Sequence, residues 1–478
     1  MRLGANRGAD GAVSEVMAIG PADEAREANP TFLALRAGVK GPAAAGVTRL
    51  PVTGRKVVLV RIDRKVRRGT LAAADSETIA AAAHTALAQR IPLVVVLASA
   101  GADVFEGAAS LDGWGRAAHA LTECSGVIPV VMVAYGLAVS GPALLLGMAD
   151  AVVMTPEAVA YVSGPAAVAQ LTGLHLAPEE LGGQRVHARS TGVAALLADD
   201  VPSGLETVAG FLDYLPDHAD EEPPVWPGGD PANRPTPELR DLLPVSPTGS
   251  YDVRHAIAAI ADDAALLELR AGWAPQLVTA LCRVEGRTVG VVANQPQSMA
   301  GTLDIAASQK GARFVGFCDS FNVPLLTLVD TPGFMPGKDL EWRGMIRHGA
   351  QLVFAYAEAT VPRVCLIMRK AFGGAYIVMD SKGMGNDLCL AWPSAQVAVM
   401  GAQGAVQILH RREDAEAQAR LVGEYEESYL NPYVAAARGF IDQVIDPGDT
   451  RKVIASSLRM LATKRERIVA RKHGNGPL

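Results

Sequence analysis

The residues best suited to chemistry in this chain are two adjacent glycines that follow an apolar run. The segment RKAFGGAYIVM (369–379) contains Gly373 and Gly374, and we expect a strand that ends at Met368 and a helix that begins at Ala375. Glycines allow a tight turn, and the first N–H groups of a helix have no acceptor within it. The turn would therefore direct several donors at one point. Such donors stabilise a developing oxyanion by roughly 3–4 kcal/mol each in known enzymes.

Two further glycine-rich segments lie close to this turn in the sequence. They are DTPGFMPG (330–337) and AVMGAQGAVQIL (398–409). An isolated Gly-Gly pair more often serves only to reverse the chain. Three such turns near one another leave the structural and the catalytic interpretation equally open.

These turns lie within a regular alternation of short apolar runs and longer alanine-rich stretches. Short β-branched runs such as KVVLVRI and PLVVVLA alternate with helical patterns such as SETIAAAAHTALAQ, and further helices are expected over 304–318 and 341–357. Nearly continuous apolar strands between helices are typical of β-sheets covered by helices. We therefore predict an α/β fold.

The second half of the chain repeats the first. The offset is 232 where Gly54-Arg55 precedes KVVLV and Gly286-Arg287 precedes TVGVV, and it is 233 where Gly141 falls opposite Gly374. An offset this constant across several apolar runs predicts two tandem domains of one fold. The predicted segments are an N-terminal arm (1–47), a first domain (48–215), a linker rich in proline and acidic residues (216–250) and a second domain (251–478).

Composition and charge exclude several classes of function. The chain of 478 residues is 49% hydrophobic and 20% charged, and its net charge of -6 does not support nucleic-acid binding. Five scattered cysteines form no CxxC pair, which indicates a reduced, cytoplasmic compartment. The first thirty residues lack the apolar core of a secretory signal. The acids Asp330, Glu341 and Asp387 form no metal motif, and we expect no metal.

One uncharged segment, residues 127–149, is long enough to suggest a membrane span. Several prolines and glycines interrupt it, and its repeat partner carries Arg369 and Lys370 at the corresponding place. A buried strand, a turn and a helix start explain both copies, so no membrane span is expected.

The second half resembles a known enzyme family. The likeness runs from RVEGRTVGVVANQPQSMAGTLDIAASQKGARFVGFCDSFNVP through VDTPGFMPG, RKAFGGAYIVM and EYEESYLNPYVAAARGFIDQVI to KHGNGPL. The whole second domain is similar to the carboxyltransferase β subunit of biotin-dependent acyl-CoA carboxylases, of the propionyl-CoA carboxylase type. Motifs of this length are specific.

The resemblance implies two tandem crotonase-like (ClpP/crotonase) domains, usually assembled as a hexamer. In the family the first domain binds the acyl-CoA, and the second domain of a neighbouring subunit binds carboxybiotin. Gly374 and Ala375 would form the oxyanion hole on the biotin side, and Ser140 and Gly141 would act on the thioester side. The other substrate-binding residues that the resemblance implies are Gly373, Tyr376, Ile377, Gly101, Ala102, Gly164, Gly401 and Gly404.

The first domain departs from the family pattern. The acyl-CoA loop, usually DSGGARIQEG, reads ASAGADVFEG here, with Asp103 at an arginine position. The AGGA turn reads VSGP, and Pro142 has no N–H. The loop of an aromatic residue, two glycines and a small residue reads Arg67-Arg68-Gly69-Thr70. Either the acceptor is unusual or carboxyl transfer is lost; drift should erode both halves, which favours an unusual acceptor.

The cofactors and partners follow from the same resemblance. Biotin would arrive as carboxybiotin on an α subunit with biotin carboxylase and carrier domains, because this chain has no ATP-grasp signature and no AMKM motif. The acceptor would be a CoA thioester or a phosphopantetheine thioester on an acyl carrier protein. Two alternatives stay open: a biotin-independent decarboxylase or acyl-transfer enzyme, and a non-catalytic subunit of a mixed complex.

Two further features carry expectations of their own. Ile377 stands where short-chain propionyl enzymes commonly have aspartate, which predicts an acceptor not restricted to propionyl; simple packing is the alternative. A basic cluster near the first strand is interpreted as a solvated face or a phosphate cradle, and its members are Arg61, Arg64, Lys65, Arg67 and Arg68. His187, His348 and His410 are expected to be structural.

Overall fold

The computed structural model describes residues 17–18, 41–246 and 248–477. Most of the predicted N-terminal arm (residues 1–16 and 19–40) lies outside the described residues. Contacts divide the chain into two compact units, Met1–Glu222 and Pro223–Leu478. The division falls inside the segment predicted as a linker. Part of that segment packs onto the second unit, since Leu239 is buried in its core.

The first unit is built on one sheet in the order β1-β2-β3-β4-β5-β6-β8, with β7 beside β5. The β1–β2 and β2–β3 pairs are antiparallel and the others are parallel. The strands are β1 Met17–Ala18, β2 Ala43–Arg49, β3 Lys56–Ile62, β4 Leu93–Ser99, β5 Val130–Val139, β6 Ala151–Met154, β7 Val159–Tyr161 and β8 Leu196–Leu197.

The helices of the first unit pack onto this sheet through small side chains. Ala82, Ala83 and Ala86 of the first helix are fully buried, because alanine lets a helix approach its neighbours closely without losing side-chain entropy. The helices are α1 Ala73–Gln89, α2 Ala108–Cys124, α3 Gly141–Leu146, α4 Pro165–Thr172, α5 Pro178–Gly182, α6 Gln184–Val186 and α7 Val201–Leu212.

The second unit repeats the sheet, in the order β16-β14-β13-β12-β11-β10-β9 with β15 beside β13. Its strands are β9 Leu266–Glu268, β10 Leu277–Val284, β11 Arg287–Asn294, β12 Leu325–Thr331, β13 Arg363–Phe372, β14 Leu388–Ala391, β15 Gln396–Ala398 and β16 Gln443–Val444. Its helices are α8 Val253–Ile260, α9 Ile305–Ser320, α10 Lys338–Trp342, α11 Met345–Glu358, α12 Gly373–Val378, α13 Ala402–Leu409, α14 Ala415–Tyr429, α15 Pro432–Ala437 and α16 Thr450–Leu461.

The predicted helices are present with shifted ends. The helix expected over 304–318 is α9, capped by the Asp304 side chain, which accepts from Ala307 N. The helix expected over 341–357 is two helices, α10 and α11. They are separate because Gly344 between them has a φ of +89°, which no residue inside a right-handed helix can have.

Strand registers confirm the repeat at the level of single residues. Leu93 of β4 pairs with Val130 of β5, and Leu325 of β12 pairs with Arg363 of β13. Both ladders shift register near their carboxyl ends, after Leu97 in the first unit and after Val329 in the second. The two units are therefore copies of one fold, and each position in one can be assigned a counterpart in the other.

The uncharged segment 127–149 forms strand β5, a turn and helix α3, as predicted. Across the described ranges, the helices are all too short or too polar to cross a membrane.

Candidate functional site

The glycine turn of the second unit lies where β13 meets α12. The strand does not end at Met368, as the sequence suggested, but continues to Phe372, because β15 pairs with its last three residues. The helix begins at Gly373 rather than Ala375. Gly373 has a φ of +61°, and a Cβ built there would lie 3.1 Å from the carbonyl oxygen of Val399. Both features favour glycine at this position.

The first turn of α12 presents the predicted donors. The N–H groups of Gly374 and Ala375 lie at the helix start, where no acceptor within the helix is available. A Cβ at Gly374 would lie 3.6 Å from the ring of Phe334. Tyr376 is buried, whereas Ile377 is 44% exposed. The helix start thus combines free donors with an exposed apolar side chain one turn further on.

Asp330 fixes the strand that leads into this turn. Its Oδ2 accepts from the Tyr251 hydroxyl and from Arg369 Nε, each at 2.9 Å, and its Oδ1 accepts from Lys370 N at 3.1 Å. Burial raises the pKa of Asp330, and the adjacent Arg369 opposes that rise. In the sequence, Asp330 is a possible paired acid with Glu341 and Asp387, in a spacing that forms no metal motif. Its place at the end of an apolar run was the one available signal of this anchoring role.

A buried ion pair lies at the other ends of the same strand and helix. Arg363 begins β13, Asp380 follows α12, and their Nη1 and Oδ1 atoms are 2.7 Å apart. Burial raises the pKa of Asp380 to about 6, against the lowering effect of Arg363. Arg363 also donates to the carbonyl oxygens of Met384 and Gly385. The strand–turn–helix unit is therefore held at both ends.

The structure brings the third predicted turn close to the same strand end. Gly401 lies just before α13, and a Cβ there would lie 3.5 Å from the Phe372 ring. Gly404, one turn into α13, faces the Met400 side chain instead. Gly401 therefore lies beside the end of β13, whereas Gly404 packs against Met400.

The turn of the first unit has the same φ at its first residue and different donors. Ser140 has a φ of +61°, α3 begins at Gly141, and Pro142 follows. Ser140 N already donates to Tyr161 O at 3.0 Å, because β7 runs beside the end of β5. The backbone N–H of Ser140, a residue that the resemblance places on the thioester side, is therefore occupied. The remaining donors are the Gly141 N–H and the exposed Ser140 hydroxyl.

The other predicted thioester residues lie around this turn. Gly101 has a φ of +112°, and a Cβ there would lie 3.7 Å from Val139 O, next to the turn. Ala102 forms an isolated bridge with Leu71. Gly164 lies just before α4, and a Cβ there would lie 3.3 Å from the ring of Tyr161, the residue whose carbonyl accepts from Ser140.

A cleft of about 540 Å³ opens beside the same strand ends. Ala98 and Gly136 form part of its wall, and it also contains Glu157 and Glu179. Arg64, Lys65 and Arg68 contribute cations to it. Arg64 pairs with Glu157, while Lys65 and Arg68 are exposed and make no ion pair within the described part of the chain. Part of the basic cluster therefore faces a cavity rather than open solvent.

The repeat explains why this cleft is open. The strand registers make Ala98 of the first unit the counterpart of Asp330 in the second unit. Gly136 is likewise the counterpart of Arg369. In the second unit the corresponding space therefore holds the Asp330–Arg369 ion pair. In the first unit both side chains are reduced to a methyl group or a hydrogen atom.

Two of the three histidines have structural partners. The His187 ring lies 2.8 Å from both Thr191 Oγ1 and Ala160 O, and His348 Nδ1 lies 3.2 Å from Gln309 Nε2. Asp387 is also structural, since its Oδ2 accepts from Arg363 N and pairs with Lys464. These contacts agree with the structural interpretation of His187 and His348.

Comparison with known proteins gives a consistent result. The carboxyl transferase domain model matches residues 44–476. The propionyl-CoA carboxylase beta chain of Saccharopolyspora erythraea is 45% identical over 446 residues, which are 89% of this chain and 82% of that protein. The methylmalonyl-CoA carboxyltransferase 12S subunit of Propionibacterium freudenreichii is 43% identical over 444 residues, 91% and 84% of the two chains.

A solved structure is similar to the same extent. It is transcarboxylase 12S, described as a hexamer with methylmalonyl-coenzyme A and methylmalonic acid bound. The TM-score is 0.89 at 41% identity, and the match covers 91% of this chain and 85% of that one. Sequence and structure thus point to one group of proteins.

Proposed function

The chain belongs to the carboxyl transferase domain family, and from that premise we propose how its residues divide the transfer of a carboxyl group from carboxybiotin to the α-carbon of an acyl thioester. It is a carboxyltransferase of the type found in biotin-dependent acyl-CoA carboxylases, built on two crotonase-like units. The observation that carries the division of roles is the pair of equivalent strand–helix turns, one in each unit, with different donors.

The turn at Gly373–Ala375 serves the biotin side. When bound, carboxybiotin supplies the carboxyl group and a ureido nitrogen that accepts the α-proton of the thioester. The N–H groups of Gly374 and Ala375 would hold the ureido oxygen and would stabilise negative charge on it. The fit rests on one observation: these donors have no acceptor within the helix.

The turn at Ser140–Pro142 serves the thioester side. Gly141 N–H and the Ser140 hydroxyl donate to the thioester oxygen as it becomes an enolate oxygen. Gly101 and Ala102 line the approach of the acyl group, since Gly101 lies against Val139 O.

The adjoining cleft receives the arm that carries the acyl group. CoA and phosphopantetheine both contain phosphate, and Lys65 and Arg68, which have no ion-pair partner among the described residues, supply cations at the cleft. A charge-assisted hydrogen bond to phosphate is about twice as strong as a neutral one. The acceptor is not restricted to propionyl, because Ile377 presents an exposed apolar side chain beside the biotin-side turn.

The partners follow from the reaction. An α subunit with biotin carboxylase and biotin carrier domains supplies carboxybiotin, and an acyl carrier protein is the alternative to free CoA as the bearer of the acyl group. The relative described as a hexamer supports a homo-oligomeric, hexameric assembly.

Reconstitution with such an α subunit, ATP and labelled bicarbonate tests this function. We expect label to become fixed on acyl thioesters, and a series of acyl-CoAs compared with the same acyl groups on a carrier protein identifies the acceptor. No fixed label, together with a decarboxylated product, would support a biotin-independent decarboxylase. Activity that appears only with an active paralogue would support a non-catalytic subunit.

Variants of the cleft test the arm-binding residues. The double variant Lys65→Gln with Arg68→Gln should raise the KM for the thioester and leave the KM for the biotin donor unchanged. Arg61→Gln is the matched control, because Arg61 belongs to the same basic cluster and does not line the cleft. An equal effect of both variants would argue against a specific role for the cleft.

A further inference from the structure

Three charged side chains meet between the loop 100–107 and the start of α1. Arg67 Nη1 lies 2.9 Å from Asp103 Oδ2, and Arg67 Nη2 lies 3.2 Å from Asp75 Oδ2. Both carboxylates are buried and the arginine is partly exposed. Arg67 and Asp103 are two of the positions at which the chain departs from the family pattern, so the two departures are in contact.

The two carboxylates belong to different segments. Asp75 Oδ2 also accepts from Ala72 N at the start of α1. Asp103 Oδ1 accepts from Phe105 N in the loop 100–107. Because one guanidinium contacts both carboxylates, Arg67 ties that loop to α1.

The second unit shows that the backbone does not require these charges. Its turn Met299-Ala300-Gly301 has φ values of 47°, 53° and 74°, and Arg67-Arg68-Gly69 has 47°, 57° and 72°. The isolated bridge of Leu71 with Ala102 is repeated by Leu303 with Phe334. The counterparts of Arg67, Asp75 and Asp103 are Met299, Ala307 and Met335. A neutral triad is therefore compatible with the same φ values and the same bridge, and the helix start is capped there by Asp304, the counterpart of Ala72.

Two contacts connect the loop 100–107 with the turn that carries the Gly141 donor. Gly101 lies against Val139 O, directly before the turn. Helix α2 follows the loop after Gly107, and the ring of its Trp114 lies 2.8–2.9 Å from a Cβ built on Gly141. A shift of the loop would therefore move both neighbours of the donor.

We propose that Arg67 is a positioning residue for the thioester half-reaction: by bridging Asp75 and Asp103 it fixes the loop 100–107, and through that loop the Gly141 donor. This inference rests on the proposed function. It differs from a role of Arg67 in binding the substrate, because the arginine acts on the loop and its two carboxylates.

Kinetics of single variants give the first test. Arg67→Met should lower kcat for transfer by about 10²-fold, the loss expected when a reacting group is misplaced by about 1 Å. The KM for the biotin donor should not change. Arg67→Lys should recover only part of the activity, because an ammonium lacks the planar fork that reaches two carboxylates. Arg116→Met is the control, since Arg116 likewise bridges α1 and α2 through Glu77 and Asp112.

A triple variant separates positioning from ligand binding. Made in an Ala72→Asp background, which restores the helix cap that Asp304 gives the second unit, Arg67→Met, Asp75→Ala and Asp103→Met together copy the neutral triad of that unit. We expect this variant to be markedly more active than Arg67→Met alone. A folded triple variant no more active than Arg67→Met would show that the arginine acts on the ligand, and would overturn the proposal. Unchanged kinetics in Arg67→Met would overturn it as well.

Proteolysis of the loop 100–107 tests the role of Arg67 without relying on the proposed carboxyl-transfer activity. Phe105 is 97% exposed at the tip of the loop, so the rate of chymotrypsin cleavage after Phe105 reports loop mobility. Arg67→Met should speed that cleavage and Arg116→Met should not. If the wild type transfers no carboxyl group, the proposed function fails, while the cleavage rates still decide whether Arg67 holds the loop.

Discussion

The residue that opens each helix-start turn is Gly373 in the second unit and Ser140 in the first, and φ is +61° at both. The next two residues are Gly374 and Ala375 in one turn and Gly141 and Pro142 in the other. The same φ at the first residue is therefore kept with two sets of donors. The second unit offers two free N–H groups, and the first offers one N–H and a hydroxyl.

This difference shows that the positive φ of the turn is retained in both units, whereas the set of hydrogen-bond donors is not. A non-glycine residue at φ near +60° costs of order 1 kcal/mol or more and persists where the surroundings hold it. Ser140 is held there by its bond to Tyr161 O. Pro142 is compatible with the first turn of a helix, where its missing N–H breaks no helical bond. The turn therefore keeps its conformation when its residues are substituted, but it offers fewer N–H donors.

The largest effect should come from the ion pair that holds only the second turn. The counterparts of Arg363 and Asp380 are Val130 and Gly147. Arg363→Met leaves the buried Asp380 without its counter-ion, and we expect the free energy of unfolding to fall by about 3–5 kcal/mol. Asp380→Asn should cost less, because Arg363 keeps two carbonyl acceptors. Urea unfolding of both variants measures the difference.

The pH dependence of these variants has a defined sign. The pKa of Asp380 is raised to about 6 in the folded protein, so its contribution to stability is fully present below about pH 4 and is lost as pH rises through 6. Wild type should show this loss and Asp380→Asn should not. The double variant Arg363→Val with Asp380→Gly copies the first unit and should recover much of the stability. A double variant less stable than Arg363→Met would contradict this account.

The second largest effect should come from giving the second turn the proline of the first. Ala375→Pro removes one N–H donor, and loss of a single oxyanion donor typically lowers kcat by about 10²–10³-fold. Carboxyl transfer in the reconstituted system measures it. Ala375→Gly keeps the N–H and is the control. A folded Ala375→Pro enzyme with unchanged kcat would remove Ala375 from the site.

A smaller effect is expected at the exposed apolar residue of each helix. Ile377 of α12 is 44% exposed, and its counterpart Leu144 of α3 is 50% exposed. Ile377→Asp should shift the preference among acetyl, propionyl and longer thioesters by roughly 1–3 kcal/mol. Leu144→Asp is the matched substitution in the other unit. If the order of preference is unchanged in Ile377→Asp, then Ile377 only packs the helix start.

The smallest effect should come from the reverse change in the first turn. Pro142→Ala restores an N–H at the position of Ala375. If that group can reach the thioester oxygen, kcat/KM for the thioester should rise about five-fold, the equivalent of about 1 kcal/mol for one hydrogen bond. Steady-state kinetics decide the point. A fall in activity would show that the fixed φ of proline is needed at the start of α3.

Periodicity and the repeat offset were enough to predict two α/β units, the strands and most of the helices. Apolar runs such as KVVLV and LVVVL can form buried strands in few other ways, and the constant offset of Gly54 and Gly286 comes from the duplication itself. The glycine turn at Gly373 and Gly374 was also predictable, because a residue at positive φ in a tight turn is most often glycine. Its boundaries were wrong by several residues, since pairing between β13 and β15 lengthens the strand.

Only the tertiary structure decided which distant residues meet. No spacing rule predicts from the sequence which charged residues form ion pairs. The structure pairs Asp330 with Arg369, Arg363 with Asp380, and Arg67 with both Asp75 and Asp103. The occupied N–H of Ser140 likewise depends on Tyr161 in a neighbouring strand. Local pattern fixes elements because hydrophobic periodicity acts along the chain, whereas ion pairs and donor occupancy depend on distances that exist only after the sheets have formed.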